Sequence, residues 1–300
     1  SDRSLPVILS GGSPELRDGF QSVAIAGGGY DSVEVTGLAG DDTLTIDFGS
    51  GNPIPFGGLV YNGGSQQTAT GDQLVIQGGS FETSVYKVTN ASDGSIQLDG
   101  SRIVYTGLEP IVDNSSATDR VFGLSASDDS DATLTSDGGG NLTLAGSTFE
   151  DITFPTPTNS LTIRGLEGND SLTLGTLDLG ATDLTIETET VVVPAGVTVS
   201  GLGDITFNSV SADLVRITSV GGLVSRSARV SVLGGISTTG SIILHAEVIR
   251  NVLISGASNP SLTLDSSSLA GVEIGSGAAL TGGSVVADAV TRGDVDLENS

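Results

Sequence analysis

Cysteine, methionine and tryptophan are absent from these 300 residues, lysine and histidine occur once each, and aromatic residues make up 4%. Each absence removes a class of function. Without cysteine there is no disulfide framework and no thiolate metal site. A single histidine, His245, rules out most histidine-based transition-metal sites and leaves any serine nucleophile without a choice of partner base. Lys87 is the one lysine and the arginines are scattered, so the cationic stripe that nucleic acid binding needs is missing. Sugar-cleaving clefts need aromatic platforms, which a chain without tryptophan supplies poorly. No stretch approaches the roughly 18 apolar residues of a membrane span. With no initiating methionine, the sequence is expected to be a processed product or one piece of a longer chain.

What is present is glycine, 44 of it, an aliphatic core of Val, Ile, Leu and Ala, and 36 acidic residues against 11 basic ones, for a formal net charge of -25. Such acidity suits a soluble, highly charged surface, and it can also gather divalent cations. Val, Ile and Thr pack well on a pleated surface and lose χ1 freedom in a helix. No window carries a 3.6-residue apolar period, so the chain reads as all-β.

Internal repetition organises it. Residues 32 to 46, SVEVTGLAGDDTLTI, align without a gap on 160 to 174, SLTIRGLEGNDSLTL, 128 positions later. Each copy is an alternating strand, a glycine-bearing turn with an acidic tip, and a second alternating strand. Looser copies are SVAIAGGGYDSVEV at 22 to 35 and GVTVSGLGDITF at 196 to 207. In the second half, apolar positions return at a nearly steady step: Leu161, Leu172 and Leu184, then Val230, Ile242, Val252, Leu262, Val272, Val285 and Val295. Strands of four to six residues plus a turn fit that step.

A sandwich and a parallel β-helix compete for this pattern, and one fixed period with turns of variable length, such as SSSLAG at 266 to 271, favours the β-helix. Between about 60 and 112 the character changes. SVYKVTNASDGSIQLDGSRIVYTG, at 84 to 107, predicts three strands joined by Asp-Gly turns, hence an antiparallel insertion or subdomain. Polar segments near 112 to 160 read as a boundary. The expected organisation is a β-repeat region over 1–150, with the insertion near 60–112, followed by a parallel β-helix over 151–300.

The turns supply the candidate site. Gly37, Gly40, Asp42 and Leu44, and again Gly165, Gly168, Asp170 and Leu172, fit most positions of a nine-residue calcium repeat. Asp41, Asp42, Asn169 and Asp170 are therefore the candidate calcium ligands. Calcium between stacked turns needs ligands that recur one coil later, and no such ladder is legible; Leu38 and Leu166 also replace the second glycine. The same residues suit a structural turn in which Gly takes positive φ and Asp caps a backbone N–H. The acidic loop with Asp128, Asp129, Asp131 and Asp137 lacks the spacing of an EF-hand. His245 and Glu247 share a strand face, as an acid–base pair or as a surface pair. Asn-X-Ser/Thr triplets at Asn90, Asn114, Asn141 and Asn169 are those expected by chance in so Ser- and Thr-rich a chain.

The pieces GLAGDDTLTIDFGSGNPIPFGGLVYNGG, GDQLVIQGGSF, DGSIQLDGSRIVYTGLEPI and GLEGNDSLTLG together resemble the repeat regions of very large secreted bacterial surface proteins, of the kind found in planctomycete-like bacteria. The likeness covers about residues 20 to 190, and the remainder is closer to an adhesin-like β-helix. The resemblance implies an extracellular, modular segment used in the cell envelope, in adhesion or in a filament. It brings no catalytic residue with it. The expectation is a non-enzymatic structural or adhesive protein that self-associates or meets other envelope components, binding no nucleic acid and spanning no membrane. The alternatives are a polysaccharide-active enzyme on the same scaffold and a calcium-dependent binding module.

Overall fold

The structure is a computed structural model that describes residues 31–194 and 196–207 with their side chains, and beyond these the backbone of strands within 7–24 and 208–298. All 29 described elements are β-strands, and among the described residues there is no helix, so none is long and apolar enough to cross a membrane. Alternation in the sequence becomes alternation in burial. In Ser160–Arg164, Leu161 and Ile163 are fully buried between partly exposed threonine and serine, and Arg164 faces solvent.

Pairing is mostly parallel and in register. One ladder begins at Val7–Ser10 and runs through Thr43–Asp47, Gln73–Asn90, Ile111–Gly123, Ser160–Arg164, Asp183–Glu187, Ile205–Asn208, Leu223–Ser227, Ser241–Ser255 and Ser284–Glu298. Within it Leu161 faces Leu184, which faces Ile205, then Leu223 and Ile242, at steps of 23, 21, 18 and 19 residues. Ile242 then faces Val285, and Val252 faces Val295. A second ladder stacks Ala132, Leu172, Val191, Ala212, Val230 and Val272. A third, in a separate five-stranded sheet, stacks Leu177, Val199, Ile217, Ile236 and Leu280. From Ser160 onward the chain visits the three ladders in the same order each time. Each buried Leu or Ile in such a column contributes about 1.5–3 kcal/mol by leaving water.

Antiparallel pairs interrupt this pattern in three places. Gln73–Asn90, Asp93–Leu98 and Ser101–Thr106 form a meander in which Tyr86 faces Ile96 and Ile96 faces Ile103. Ala132–Ser136, Asn141–Gly146 and Phe149–Pro155 form a second, inside the stretch that reads as a boundary in the sequence. Val7–Ser10, Glu15–Asp18 and Gln21–Ala24 form the third. Ile111–Gly123 joins the parts: its first residues lie between Leu74–Val75 and Ile152–Thr153, and its last five between Thr83–Lys87 and Ser160–Arg164. One apolar core runs from Leu44 to Phe207, and in it the Tyr86 and Phe122 rings stack with centroids 4.6 Å apart. The copy of the repeat at 22–35 is described only in part, and the SLTL segment at 261–264 with Leu262, most of the loop at 266–271 and the side chains of His245 and Glu247 lie outside the described residues.

Candidate functional site

The two copies of the repeated turn are built alike, and each stacks on a turn that the sequence pattern conceals. The Gly37 N–H donates to the Asn62 carbonyl at 2.8 Å and the Ser65 N–H to the Leu38 carbonyl at 2.9 Å, so residues 37–40 lie against 62–65. The Asp42 N–H donates to Asp72 Oδ1 at 2.6 Å, while Asp41 Oδ1 accepts from the Gln67 and Thr68 N–H groups at 2.8 and 3.1 Å. In the second copy, the Asp129 N–H donates to Asp170 Oδ1 at 3.0 Å and the Asn169 N–H to Asp128 Oδ1 at 2.9 Å. The Asp170 N–H continues the series to Glu189 Oε2 at 2.9 Å. Neighbouring turns are thus stitched in both directions. The inner carboxylate takes an N–H from the turn before it, and the outer one takes an N–H from the turn after it.

The partner that looks missing in the sequence is therefore present. Asp72 stacks on Asp42 across 30 residues, and Asp170 on Asp129 across 41, because the chain between them makes Thr43–Asp47, Leu59–Asn62 and their loops in one case and the 132–155 meander followed by Ser160–Arg164 in the other. Glycine is required where the inner carboxylate folds back. A Cβ on Gly165 would fall inside the Asp170 carboxylate, and one on Gly63 would lie 2.7 Å from Asp72 Cβ and Oδ2. Burial raises the carboxyl pKa of Asp72, and of Asp170, above the ordinary value; the charge of Asp41 adds to this at Asp72, and those of Asp129, Glu189 and Asp128 at Asp170. Asp41, held by the Gln67 and Thr68 donors, is lowered instead. Among the described residues no three His, Cys, Asp or Glu side chains converge as a group that could hold a metal ion. Asp41 and Asp42 are adjacent in one turn and Asn169 and Asp170 in the other, and both carboxylates of the first and Asp170 of the second serve as acceptors for backbone N–H groups or fold against glycine.

Two further polar clusters carry no sequence signature. Arg120 is fully buried, forms an ion pair with buried Asp113, donates to Tyr86 Oη at 3.2 Å and to the Ser115 carbonyl at 2.7 Å, and lies 5.5 Å from the centroid of Phe154. Tyr86 donates its hydroxyl to the same Asp113 oxygen. Burial raises the Tyr86 pKa well above normal, and Asp113 adds to it. Arg120, Asp113 and Tyr86 satisfy one another in part, as a buried ion pair requires, while the Arg120 Nε–H has no partner.

The second cluster lines a pocket of about 380 Å³ where the 69–70 loop, Ala91, Glu109–Pro110 and the 146–151 hairpin meet. Glu150 lines it with 2% of its surface exposed, and neither carboxyl oxygen has a hydrogen-bond partner. Burial, with Glu109, Asp151 and Asp93 adding negative charge, pushes its pKa up to about 9. The charge of Glu150 also reaches Tyr105, whose buried hydroxyl is likewise unpartnered. Alternation could have placed Glu150 inward, in phase with Ile152 and Phe154, but nothing in the sequence distinguishes it from the acidic surface residues around it.

Compared with known protein families, with curated proteins and with solved structures, the chain shows no significant match to any of them.

Proposed function

We propose that the chain is a segment of an extracellular structural or adhesive surface protein, folded as a parallel β-helix with three strands per coil and associating with copies of itself or with other envelope components. The observation that carries this reading is the in-register parallel ladder from Val7–Ser10 to Ser284–Glu298. Ten strands stacked at about 4.8 Å make an axis on the order of 45 Å, long enough to present several chemically similar levels along each face. Loops of different length leave these faces without disturbing the columns, a construction that suits multivalent contact.

A net charge of -25 opposes unspecific clumping, so contacts between copies must be directed. Sedimentation velocity and negative-stain microscopy over a range of protein concentrations test the reading. Dimers or filaments that grow with concentration are the expected result; a particle that stays monomeric throughout, or labelling confined to the cell interior, counts against it.

A further inference from the structure

The pocket beside Glu150 has features that a passive scaffold does not need. A carboxyl group with 2% exposure and no partner for either oxygen costs free energy in the folded state, and the residue that carries it is one of those lining a cavity, so a turn of its side chain would bring the carboxyl to that space. The lining contains three acidic residues, Glu109, Glu150 and Asp151, and no basic one. The chain's single lysine, Lys87, lines a different depression together with Arg102. The lining therefore supplies no countercharge to Glu150, which stays neutral unless a cation enters.

The shape of the pocket narrows the choice. Calcium wants six to eight oxygens at about 2.3–2.6 Å, and among the described residues no three carboxylates converge in that way. The volume of about 380 Å³ is far more than a bare ion fills, and Ala69, Ala91, Pro110 and Phe149 give it an apolar wall. A cation with an aliphatic stem matches both parts. We propose that the pocket binds an alkylammonium group, its head hydrogen-bonded to the Glu150 carboxylate and its stem laid along Phe149 and Pro110, with Glu109 and Asp151 drawing the charge to the mouth. Two sources carry this chemistry, a free aliphatic amine and the lysine side chain of a protein partner. The inference is independent of the scaffold reading, since a strictly monomeric chain could still bind an amine.

Burial leaves Glu150 protonated in the empty pocket at neutral pH, Glu109, Asp151, Asp93 and Tyr105 being the titratable groups whose fields it shares. Binding an ammonium must then release that proton. Calorimetric titration of the 300-residue chain with n-butylammonium and with Nα-acetyl-lysine amide tests this, using tetramethylammonium and calcium chloride as comparisons. Saturable one-to-one binding of at least one of the first two is expected, with close to one proton released per site near pH 7 and no comparable binding of tetramethylammonium, which has no N–H to donate. Tighter binding of the lysine derivative assigns the pocket to a protein partner, and tighter binding of butylammonium to a free amine. Glu150→Gln should weaken binding about ten- to hundredfold, the loss of a charge-assisted hydrogen bond. Asp151→Asn, at an exposed position, should weaken it a few-fold. No saturable heat with either amine, binding unchanged in a folded Glu150→Gln chain, or calcium binding that depends on Glu150 would overturn the proposal.

Discussion

Leu38 and Leu166 sit at φ 78° and 31°, a region that side-chain-bearing residues avoid, and both are mostly exposed. Nothing packs them into place strongly enough to explain the residue type by burial. Leu166→Gly is expected to be neutral or to stabilise by up to about 1 kcal/mol, because relief of the left-handed strain is partly offset by the entropy of glycine. Gly165→Ala, one residue earlier, should instead cost about 1–3 kcal/mol through the clash with Asp170. Urea unfolding of the two variants checks the contrast, and equal effects would remove the assigned role of the glycine. Glu150 gives a pH signature. With its folded pKa at about 9 against an ordinary value near 4.5, the folded chain keeps a proton that the unfolded chain gives up between those values. Stability from this group is fully present below about pH 4.5 and is lost as pH rises toward 9. Glu150→Gln should melt with the parent at pH 4 and above it at pH 8; a constant difference across that range would contradict the assignment.

The strand Ile111–Gly123 depends on polar contacts that its sequence hardly announces. Inward positions run Ile111, Asp113, Ser115 and Ala117, then the phase shifts and Arg120 and Phe122 point inward. The neighbouring strand shifts phase with it, from Phe81 to Ser84, after a register irregularity between Asn114 and Ser116 opposite Gly78 and Gly79. Arg120 and Asp113 then neutralise each other where an aliphatic pair would otherwise be expected. Asp113→Ala leaves the Arg120 guanidinium buried without its counterion and should cost about 3–5 kcal/mol, measured as a lowered denaturation midpoint. Arg120→Met with Asp113→Leu, which removes both charges, should recover most of that loss. The alternation in segments such as SLTIR and DLTIE made the strands legible. The turn partners did not show, because two strands with their loops in one interval and a whole meander with a further strand in the other separate residues that touch. The same is true of the second meander, whose Ser- and Thr-rich segments read as a polar boundary although Ala132, Leu134, Leu142 and Leu144 are fully buried.

Across the molecule, the all-β class and the mostly parallel pairing were readable from the recurrence of similar apolar residues, although which of them face each other, Leu161 with Leu184 and Val230 with Val272, was not. The number of ladders was not, since the shortest strands, Leu177–Asp178, Ile236–Ser237 and Leu280–Thr281, have two residues each and leave no alternation to detect. Buried charge was equally hidden: composition reports 36 acidic residues but not which of them faces inward. That interior set has little influence on the outline of the molecule and much on its chemistry, as the contrast between Glu150 and exposed Asp151 illustrates.

In-register parallel pairing also settles how the molecule should respond to force. The hydrogen bonds between successive strands all point along the stacking direction, so tension applied between the two ends loads one interface at a time and unzips it, whereas tension applied along a strand shears many bonds at once. Each unzipped level would release about 60–80 Å of chain where the step is 18 to 23 residues, from Leu161 to Ile242, and about 100–150 Å where it is 30 to 43. Single-molecule pulling from the termini should give a series of low peaks at these two spacings, with higher peaks where Asp72 grips Asp42 and Asp170 grips Asp129. One tall, all-or-none rupture would be the opposite outcome. A chain of this kind yields by lengthening in instalments, and its carboxylate stitches act as brakes on that extension.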